Sequence, residues 1–242
     1  MPPIRLTYSL LMIAALVACS LMLRRSQARL PLPAWQKLAI GLAAFCGAMI
    51  GAKLPFVLSD WEGLRSGSAW LSDGKTIMCG IVGGYFGVEI INWALEIRVK
   101  TGDTFAAPVA IAVAIGRVAC FHGGCCFGTP TSLPWGCQFP LAPDDLPRHP
   151  TQLYEAAFHL LAAATLVWLG RSERFRGQHI KLYILAYLAY RFVSEWLRPE
   201  PHLWLGLTGY QWAALALIPL FVWLWRRDTK QLSRNESRLS MV

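Results

Sequence analysis

Charged residues are scarce in this chain of 242 residues, where Asp, Glu, Lys and Arg together make up only 15% of the total. Hydrophobic residues make up 55%, and 11 residues are tryptophan, a composition more typical of membrane proteins than of soluble domains. Acidic residues are scarcer than basic ones, 14 against 23, which gives a net charge of +9. In so apolar a chain this excess indicates positively charged cytoplasmic loops, so we expect a membrane but no nucleic acid as partner.

The seven cysteines include no C-x-x-C pair, the spacing that thiol oxidoreductases normally use. Cys19, Cys46 and Cys79 lie singly within apolar segments and are typical of small core residues, so the chain is not a short disulfide framework. The remaining cysteines lie close together in the sequence: Cys120, Cys125, Cys126 and Cys137.

Apolar segments of about 17–25 residues, long enough for one membrane crossing, recur along the chain. Because backbone polar groups in lipid must pair within the segment, we expect these segments to be helices. The predicted fold is therefore all-α, a polytopic integral membrane protein with seven transmembrane helices. The predicted spans are residues 6–23, 38–58, 77–97, 105–121, 153–169, 180–197 and 205–225.

Basic residues mark alternate loops as cytoplasmic. Under the positive-inside rule, the basic gaps after the first, third and fifth spans predict an outside N-terminus and a cytoplasmic C-terminus. We expect residues 1–226 to form one transmembrane helical domain and residues 227–242 a basic cytoplasmic tail. The basic residues of these gaps are Arg24, Arg25, Arg29, Lys37, Arg98, Lys100, Arg171, Arg174, Arg176 and Lys181.

Several ionisable residues are predicted to lie in the outer half of the bundle. Arg117 ends the apolar run of the fourth span, while Tyr187, Arg191 and Glu195 follow an i, i+4, i+8 spacing on the sixth span, and Arg198 extends this stripe. Ionisable side chains within spans usually face a bundle interior or a cavity. Two converging arginines need an anion between them, so a lipid phosphate or a carboxylate is expected here.

A second polar segment opens the fifth span and reads His149-Pro150-Thr151-Gln152-Leu153-Tyr154-Glu155. Glu155, like Glu195, is a carboxylate available to the arginines. Three roles stay open for His149, namely an interfacial histidine, a general base and a clamp on the following turn. Gly83 and Gly84 on the third span favour a close approach of two helices or of a lipid.

Three linked motifs, in this order and spacing, resemble the signature segments of the prolipoprotein diacylglyceryl transferases. The motifs are Gly116-Arg117-x-x-Cys120-Phe121 closing with Gly128, the segment 149–155, and Tyr187-x-x-x-Arg191-x-x-x-Glu195-x-x-Arg198-Pro199. The resemblance implies a multi-pass enzyme of the bacterial inner membrane with its site towards the outer leaflet. Such an enzyme transfers the diacylglyceryl group of phosphatidylglycerol to a cysteine thiol of a prolipoprotein and releases glycerol phosphate. The resemblance implies no metal and no soluble cofactor.

By position, the resemblance implies that Arg117 and Arg191 bind the lipid phosphate and offset charge on the leaving group. It implies that Tyr187, Glu195 and Arg198 order Arg191. The expected catalytic residues are Arg117, Arg191, Glu195 and His149. The expected substrate-binding residues are Tyr187, Arg198, Gly83, Gly84, Cys120, Gly128, Gln152, Tyr154 and Glu155.

The chain also departs from the family pattern. The family's His-Gly-Gly segment corresponds here to Val82-Gly83-Gly84, the Asn three residues after the Arg is Cys120, and a later Asn and Glu fall on Gly123 and Cys125. These departures predict a divergent branch, with another acceptor or another lipid as an open alternative.

Two further functions stay open. One is a non-catalytic lipid-binding membrane protein. The other is a thiol or metal protein, although the C-x4-C-C-x10-C spacing fits zinc poorly, and a disulfide from Cys137 to Cys125 or Cys126 suits a loop that faces outward. The residues of this second alternative are Cys120, His122, Cys125, Cys126 and Cys137.

Overall fold

The computed structural model describes residues 2–71 and 74–239, with side chains described for residues 6–71 and 74–231. Over these residues the regular structure is helical, which confirms the predicted all-α class. The helices are α1 (Pro2–Ala28), α2 (Ala34–Ser59), α3 (Trp61–Ser66), α4 (Ile77–Ala94), α5 (Asp103–His122), α6 (Thr151–Arg171), α7 (His179–Ser194) and α8 (Gly209–Leu239). Short 3-10 turns cover Ser68–Leu71, Glu195–Leu197 and Trp204–Gly206.

Five of the described helices are long and apolar enough to cross a membrane, namely α1, α2, α4, α5 and α6. This finding supports the predicted integral membrane protein. Helix α7 is shorter, at 16 residues, and α8 joins an apolar first half to a charged second half. Seven spans and the orientation of the termini stay predictions.

Two predicted span boundaries are corrected by the backbone. The third predicted span ran to residue 97, but α4 ends at Ala94 because Glu96 adopts a left-handed φ of 52°. The seventh predicted span began at residue 205, but Leu205 has a φ of 56° within a 3-10 turn, and α8 starts at Gly209. A residue in the left-handed conformation cannot continue a right-handed helix. Helix α4 therefore ends before Glu96, and α8 begins after Leu205.

The described residues form two compact units, one within residues 24–105 and the other within residues 1–23 and 106–242. In the first unit, α2 and α4 lie against each other through glycines. A Cβ atom added to Gly83 would meet the carbonyl oxygen of Gly47 and, at 2.9 Å, the Cα of Gly51. Gly84 is less confined, since its Cβ would lie 3.2 Å from the Ala44 carbonyl oxygen. Small residues thus let the two backbones touch, as in many membrane helix pairs.

The second unit buries ionic side chains among α5, α6, α7 and α8. Its buried charged residues are Arg117, Arg148, Glu155, Lys181, Arg191, Glu195, Arg198 and Asp228. Because an unpaired charge is costly in a low-dielectric interior, each must find a partner, and these partners fix how the helices meet. Helix α8 runs unbroken through residue 226, and the division into a domain over 1–226 and a tail over 227–242 stays a prediction.

A loop of residues 123–150 connects α5 to α6. Its two arms are joined by backbone hydrogen bonds between Cys137 and Arg148, with N to O distances of 3.0 and 2.9 Å. Near α6, Gly128 N donates to the His149 carbonyl at 2.9 Å. A side chain at Gly128 would collide with the Leu197 carbonyl and with His149. This glycine therefore lets the loop pass close to the segment that follows α7.

Candidate functional site

Glu155 is the centre of the buried polar cluster. It lies on α6 with only 1% of its surface exposed. Its Oε1 accepts hydrogen bonds from Arg117 Nη2 at 2.8 Å and from Tyr187 Oη at 2.6 Å. Its Oε2 accepts one from Arg198 Nη2 at 3.0 Å. One carboxylate thus joins α5, α6, α7 and the segment after α7, and it holds Arg117 and Arg198 in fixed positions.

A second ion pair joins the last turn of α7 to the 3-10 turn that follows it. Arg191 Nη2 is 2.9 Å from Glu195 Oε2. Glu195 Oε1 accepts a hydrogen bond from Thr208 Oγ1 at 3.0 Å, and the Arg191 guanidinium lies 4.4 Å from the centre of the Tyr210 ring. We call these residues, together with Glu155 and its three partners, the Glu155 cluster.

The Glu155 cluster carries more positive than negative charge. With both carboxylates ionised, its three arginines and two glutamates sum to +1. Among the described residues, the buried Arg117 Nε and Arg191 Nη1 groups have no hydrogen-bond partner. Guanidinium N–H groups suit phosphate and carboxylate oxygens. The arrangement can therefore bind an anion without breaking an existing ion pair.

Sequence reasoning missed His159, which supports this cluster. His159 is fully buried on α6, its Nδ1 lies 2.9 Å from Tyr183 Oη, and its Nε2 lies 3.8 Å from Glu155 Oε1. The ring also packs against Tyr187, with 4.7 Å between centroids. The i, i+4 spacing from Glu155 was a usable signal, because both side chains must share one face of α6.

The structure brings together most of the predicted polar residues but changes some of their partners. Arg191 pairs with Glu195 as expected. The hydrogen bonds of Tyr187 and Arg198 go to Glu155, and the ordering of Arg191 by these two residues stays a prediction. These bonds depend on helix packing, because α6 places the Glu155 carboxylate within hydrogen-bond distance of both donors. The spacing within α7 alone does not show this contact.

His149, Gln152 and Tyr154 lie in the loop and the first turn of α6. Tyr154 Oη accepts a hydrogen bond from Trp135 Nε1 at 2.7 Å and lies 3.3 Å from His149 Nδ1. Gln152 Nε2 donates to the Cys125 carbonyl at 2.6 Å. Gly83 and Gly84 belong to the other unit, where they pack α4 against α2.

An open apolar cleft of about 710 Å³ lies beside Tyr154. Its wall combines the loop with the start of α6, and it is lined by Pro134, Trp135, Gly136, Cys137, Pro150, Leu153 and Tyr154. The phenol and indole that border it are hydrogen-bonded to each other. Such a surface suits an acyl chain or an apolar peptide segment.

Three cysteines of the loop lie together. The sulfurs of Cys120, Cys125 and Cys126 all lie within 4.8 Å of one another. All seven cysteines are free, so the alternative disulfides from Cys137 are not formed, and the Cys137 sulfur instead approaches the Trp135 carbonyl at 3.5 Å. Hydrogen bonds from the Cys120 and Cys125 thiols, followed by the charges of Arg117 and Arg198, lower the pKa of Cys126.

With this geometry in view, comparison with known proteins decides the family. The family described as prolipoprotein diacylglyceryl transferase matches residues 3–227. The chain belongs to this family. That prediction and the predicted transferase class are confirmed.

Individual relatives carry the same description. The chain is 33% identical over 172 residues to the phosphatidylglycerol–prolipoprotein diacylglyceryl transferase of Clostridium tetani, covering 67% of this chain and 68% of the relative. It is 36% identical over 160 residues to that of Cupriavidus metallidurans, covering 60% and 59%. These matches thus span about three fifths to two thirds of the relatives' length. The family and the apolar helices together indicate a multi-pass protein of the bacterial inner membrane.

Proposed function

We propose that this protein transfers the diacylglyceryl group of phosphatidylglycerol to a cysteine thiol of a prolipoprotein. The observation that carries the proposal is the net positive Glu155 cluster with two buried N–H groups that have no partner among the described residues. In the reaction a carbon–sulfur bond forms at the glycerol carbon while its carbon–oxygen bond to phosphate breaks. The electron pair leaves with glycerol phosphate, and the thiol proton passes to solvent or to a base.

Charge development explains why arginines suit this step. The phosphate of phosphatidylglycerol carries one negative charge as a diester, and it gains a second as glycerol phosphate leaves. Arg117 and Arg191 offset that added charge in a site of low dielectric, where fixed donors act more strongly than in water. Glu155 and Glu195 hold the two guanidiniums in place beforehand, so little reorganisation is needed during the reaction.

We assign the prolipoprotein segment that carries the acceptor thiol to the apolar cleft beside Tyr154. The cleft beside Tyr154 offers room for a lipobox segment or an acyl chain. Tyr154 lines this cleft, and its Oη lies 3.3 Å from His149 Nδ1. A free thiol has a pKa of about 8.5 and supplies some thiolate at neutral pH. The replacement of the family's histidine by Val82 in the His-Gly-Gly segment therefore does not by itself exclude the reaction.

The proposal includes seven spans, an outside N-terminus, a cytoplasmic C-terminus and a site towards the outer leaflet. Helix α7 with its 16 residues is about 24 Å long, and the 3-10 turn Glu195–Leu197 adds about 6 Å, which together match the hydrocarbon core. The positive loops after the first, third and fifth spans support this orientation. We assign residues 1–226 to one transmembrane domain and 227–242 to a basic cytoplasmic tail.

Product analysis tests the proposal. Purified protein is incubated in phosphatidylglycerol vesicles with a lipobox peptide, with other thiol acceptors and with other phospholipids, and the products are identified by mass spectrometry. We expect a diacylglyceryl thioether and glycerol phosphate in equal amounts from the wild type. The matched control is Arg176→Ala, which removes an exposed arginine that pairs with Glu173 among the described residues and should react at the wild-type rate. Binding of phosphatidylglycerol without any glycerol phosphate would identify a non-catalytic lipid-binding protein and refute the proposal.

A further inference from the structure

Cys120 and Cys125, which stand where the family pattern has polar residues, form with Cys126 a group distinct from the Glu155 cluster. Their sulfurs lie within 4.8 Å of one another, and within the described part of the chain this group contains no histidine or carboxylate ligand. A metal ion about 2.3 Å from each of three sulfurs in one plane sets those sulfurs about 4 Å apart. We propose that Cys120, Cys125 and Cys126 form a three-thiolate site for a soft monovalent metal ion of the Cu(I) class.

The loop is built to hold these sulfurs together. Cys120 lies in the last turn of α5, and the chain then reverses through Gly124, whose φ is +69°. The carbonyls of Cys125 and Cys126 accept hydrogen bonds from Gln152 Nε2 at 2.6 Å and Thr151 Oγ1 at 2.8 Å. Both donors are buried on α6. The two cysteines are therefore fixed by a neighbouring helix before any ion binds.

Cys126 occupies a backbone conformation that glycine would adopt without strain. Its φ is +61°, a left-handed value that strains a residue with a Cβ atom. The backbone alone would favour glycine at this position. A strained residue that points a thiol at two others is typical of a ligand-holding position.

The donor set decides the class of ion. Soft thiolate ligands bind Cu(I), zinc and iron–sulfur clusters, but structural zinc sites take four ligands in a tetrahedron. Three thiolates converge here among the described residues, a ligand number that suits Cu(I) better than tetrahedral zinc. Three thiolates around a monovalent ion carry a net charge of −2. Arg117 precedes Cys120 by one helical turn, and the charges of Arg117 and Arg198 both act on Cys126. These guanidiniums, which also pair with Glu155, offset part of the negative charge, and the exposed face of Cys126 lets an ion enter.

The test uses the full-length, reduced protein in detergent, titrated with Cu(I) under anaerobic conditions against a chromophoric Cu(I) chelator. X-ray absorption at the copper edge then counts the sulfur ligands. We expect one Cu(I) per chain with three sulfur neighbours. The control Cys137→Ser removes a loop thiol outside the group and should leave Cu(I) affinity unchanged.

The decisive variant is Cys126→Gly, because glycine accepts the left-handed backbone and the loop keeps its fold. We expect this variant to keep or raise its melting temperature without metal, and to lose Cu(I) affinity by at least about 10-fold. Cu(I) affinity equal to that of the wild type, or two sulfur ligands in the wild type, would overturn the proposal. Tighter binding of Zn(II) than of Cu(I) would overturn the assigned class of ion. This site does not depend on the transferase reaction, so either proposal can fail while the other stands.

Discussion

Helix α7 carries a buried ion-pair cluster near each end, and the two clusters differ in how completely their hydrogen bonds are satisfied. Near its start, Lys181 Nζ has three acceptors, Asp228 Oδ2 at 3.0 Å, Gln178 Oε1 at 2.8 Å and the Gly177 carbonyl at 3.3 Å. An ammonium group has three hydrogens, so each of its N–H donors has an acceptor. We call these residues the Lys181 cluster.

Near the other end, the Glu155 cluster keeps spare donors. Arg117 and Arg191 each hold a carboxylate with one group and have another buried N–H without a partner among the described residues. In the Lys181 cluster every ammonium donor is bonded, so the cluster stabilises the packing of α7 against α8. In the Glu155 cluster, unpartnered donors are available to bind a ligand. Buried charge is therefore common to both clusters, and the unpartnered guanidinium N–H groups distinguish the Glu155 cluster from the Lys181 cluster. Three substitutions test this distinction, and a fourth tests the packing of α2 against α4.

Asp228→Asn should have the largest effect, which is a decrease in the free energy of unfolding. The change leaves Lys181 without its carboxylate in a buried place, which costs about 3–5 kcal/mol. Transfer activity per folded molecule should stay unchanged because no spare donor is lost. Thermal unfolding in detergent, combined with activity corrected for the folded fraction, measures both quantities. A loss of activity with unchanged stability would break the comparison.

Arg117→Ala should produce the opposite result. Removing one fixed donor to a developing negative charge costs about 100- to 1,000-fold in rate. Stability should fall less than in Asp228→Asn, because Glu155 keeps Arg198 and Tyr187 as partners. Initial rates of glycerol phosphate release and melting curves on the same preparation give the answer. The control variant is Arg176→Ala. If Arg117→Ala reacts within about twofold of the wild-type rate, the Glu155 cluster is not the site of the reaction.

Tyr187→Phe should have an intermediate effect. It removes one of three hydrogen bonds to Glu155 without changing the charge of the cluster, and a hydrogen bond to a charged group contributes about 1.5–3 kcal/mol. We expect this loss to divide between stability and rate, because Glu155 then holds Arg117 less firmly. Kinetic constants and melting temperature should both decrease. Tyr190→Phe is a suitable control, since the Tyr190 ring stacks nearby on Phe158 and keeps its packing.

Gly83→Ala should have the smallest effect and should change stability alone. Its Cβ would press against the Gly47 backbone and force α2 and α4 apart, an overpacking cost of about 1–3 kcal/mol. Gly84→Ala is the matched control, since its Cβ has more room, and it should cost less. Equal melting temperatures for the two variants would contradict this packing. A lower rate at unchanged stability would instead support the substrate-binding role that the family resemblance implies for Gly83.

Local patterns predicted some of these features and missed others. The i, i+4 spacing of Arg191 and Glu195 predicted a pair that the structure forms, because both residues lie on consecutive turns. The three donors to Glu155 are 32, 38 and 43 residues away in sequence, so no local period reveals that one carboxylate collects them. Their assembly depends on how α5, α6 and α7 pack.

Lys181 shows the same limit in another way. In the sequence it counts as one of several cytoplasmic loop charges, yet the structure buries it against Asp228 on α8. Its partner is distant in the chain, and composition gives no sign of the pairing. The span boundaries failed for a different reason, because Glu96 and Leu205 adopt left-handed conformations that residues of their types rarely adopt.

The central claim, that spare guanidinium donors in the Glu155 cluster bind the lipid phosphate, is tested most directly with Arg191→Ala. Glycerol phosphate release from phosphatidylglycerol is followed by mass spectrometry for the wild type and the variant, at equal folded concentrations and with a lipobox peptide present. Release by the wild type and a decrease of at least about 100-fold in the variant is the predicted result. Equal release by the two proteins would contradict the claim.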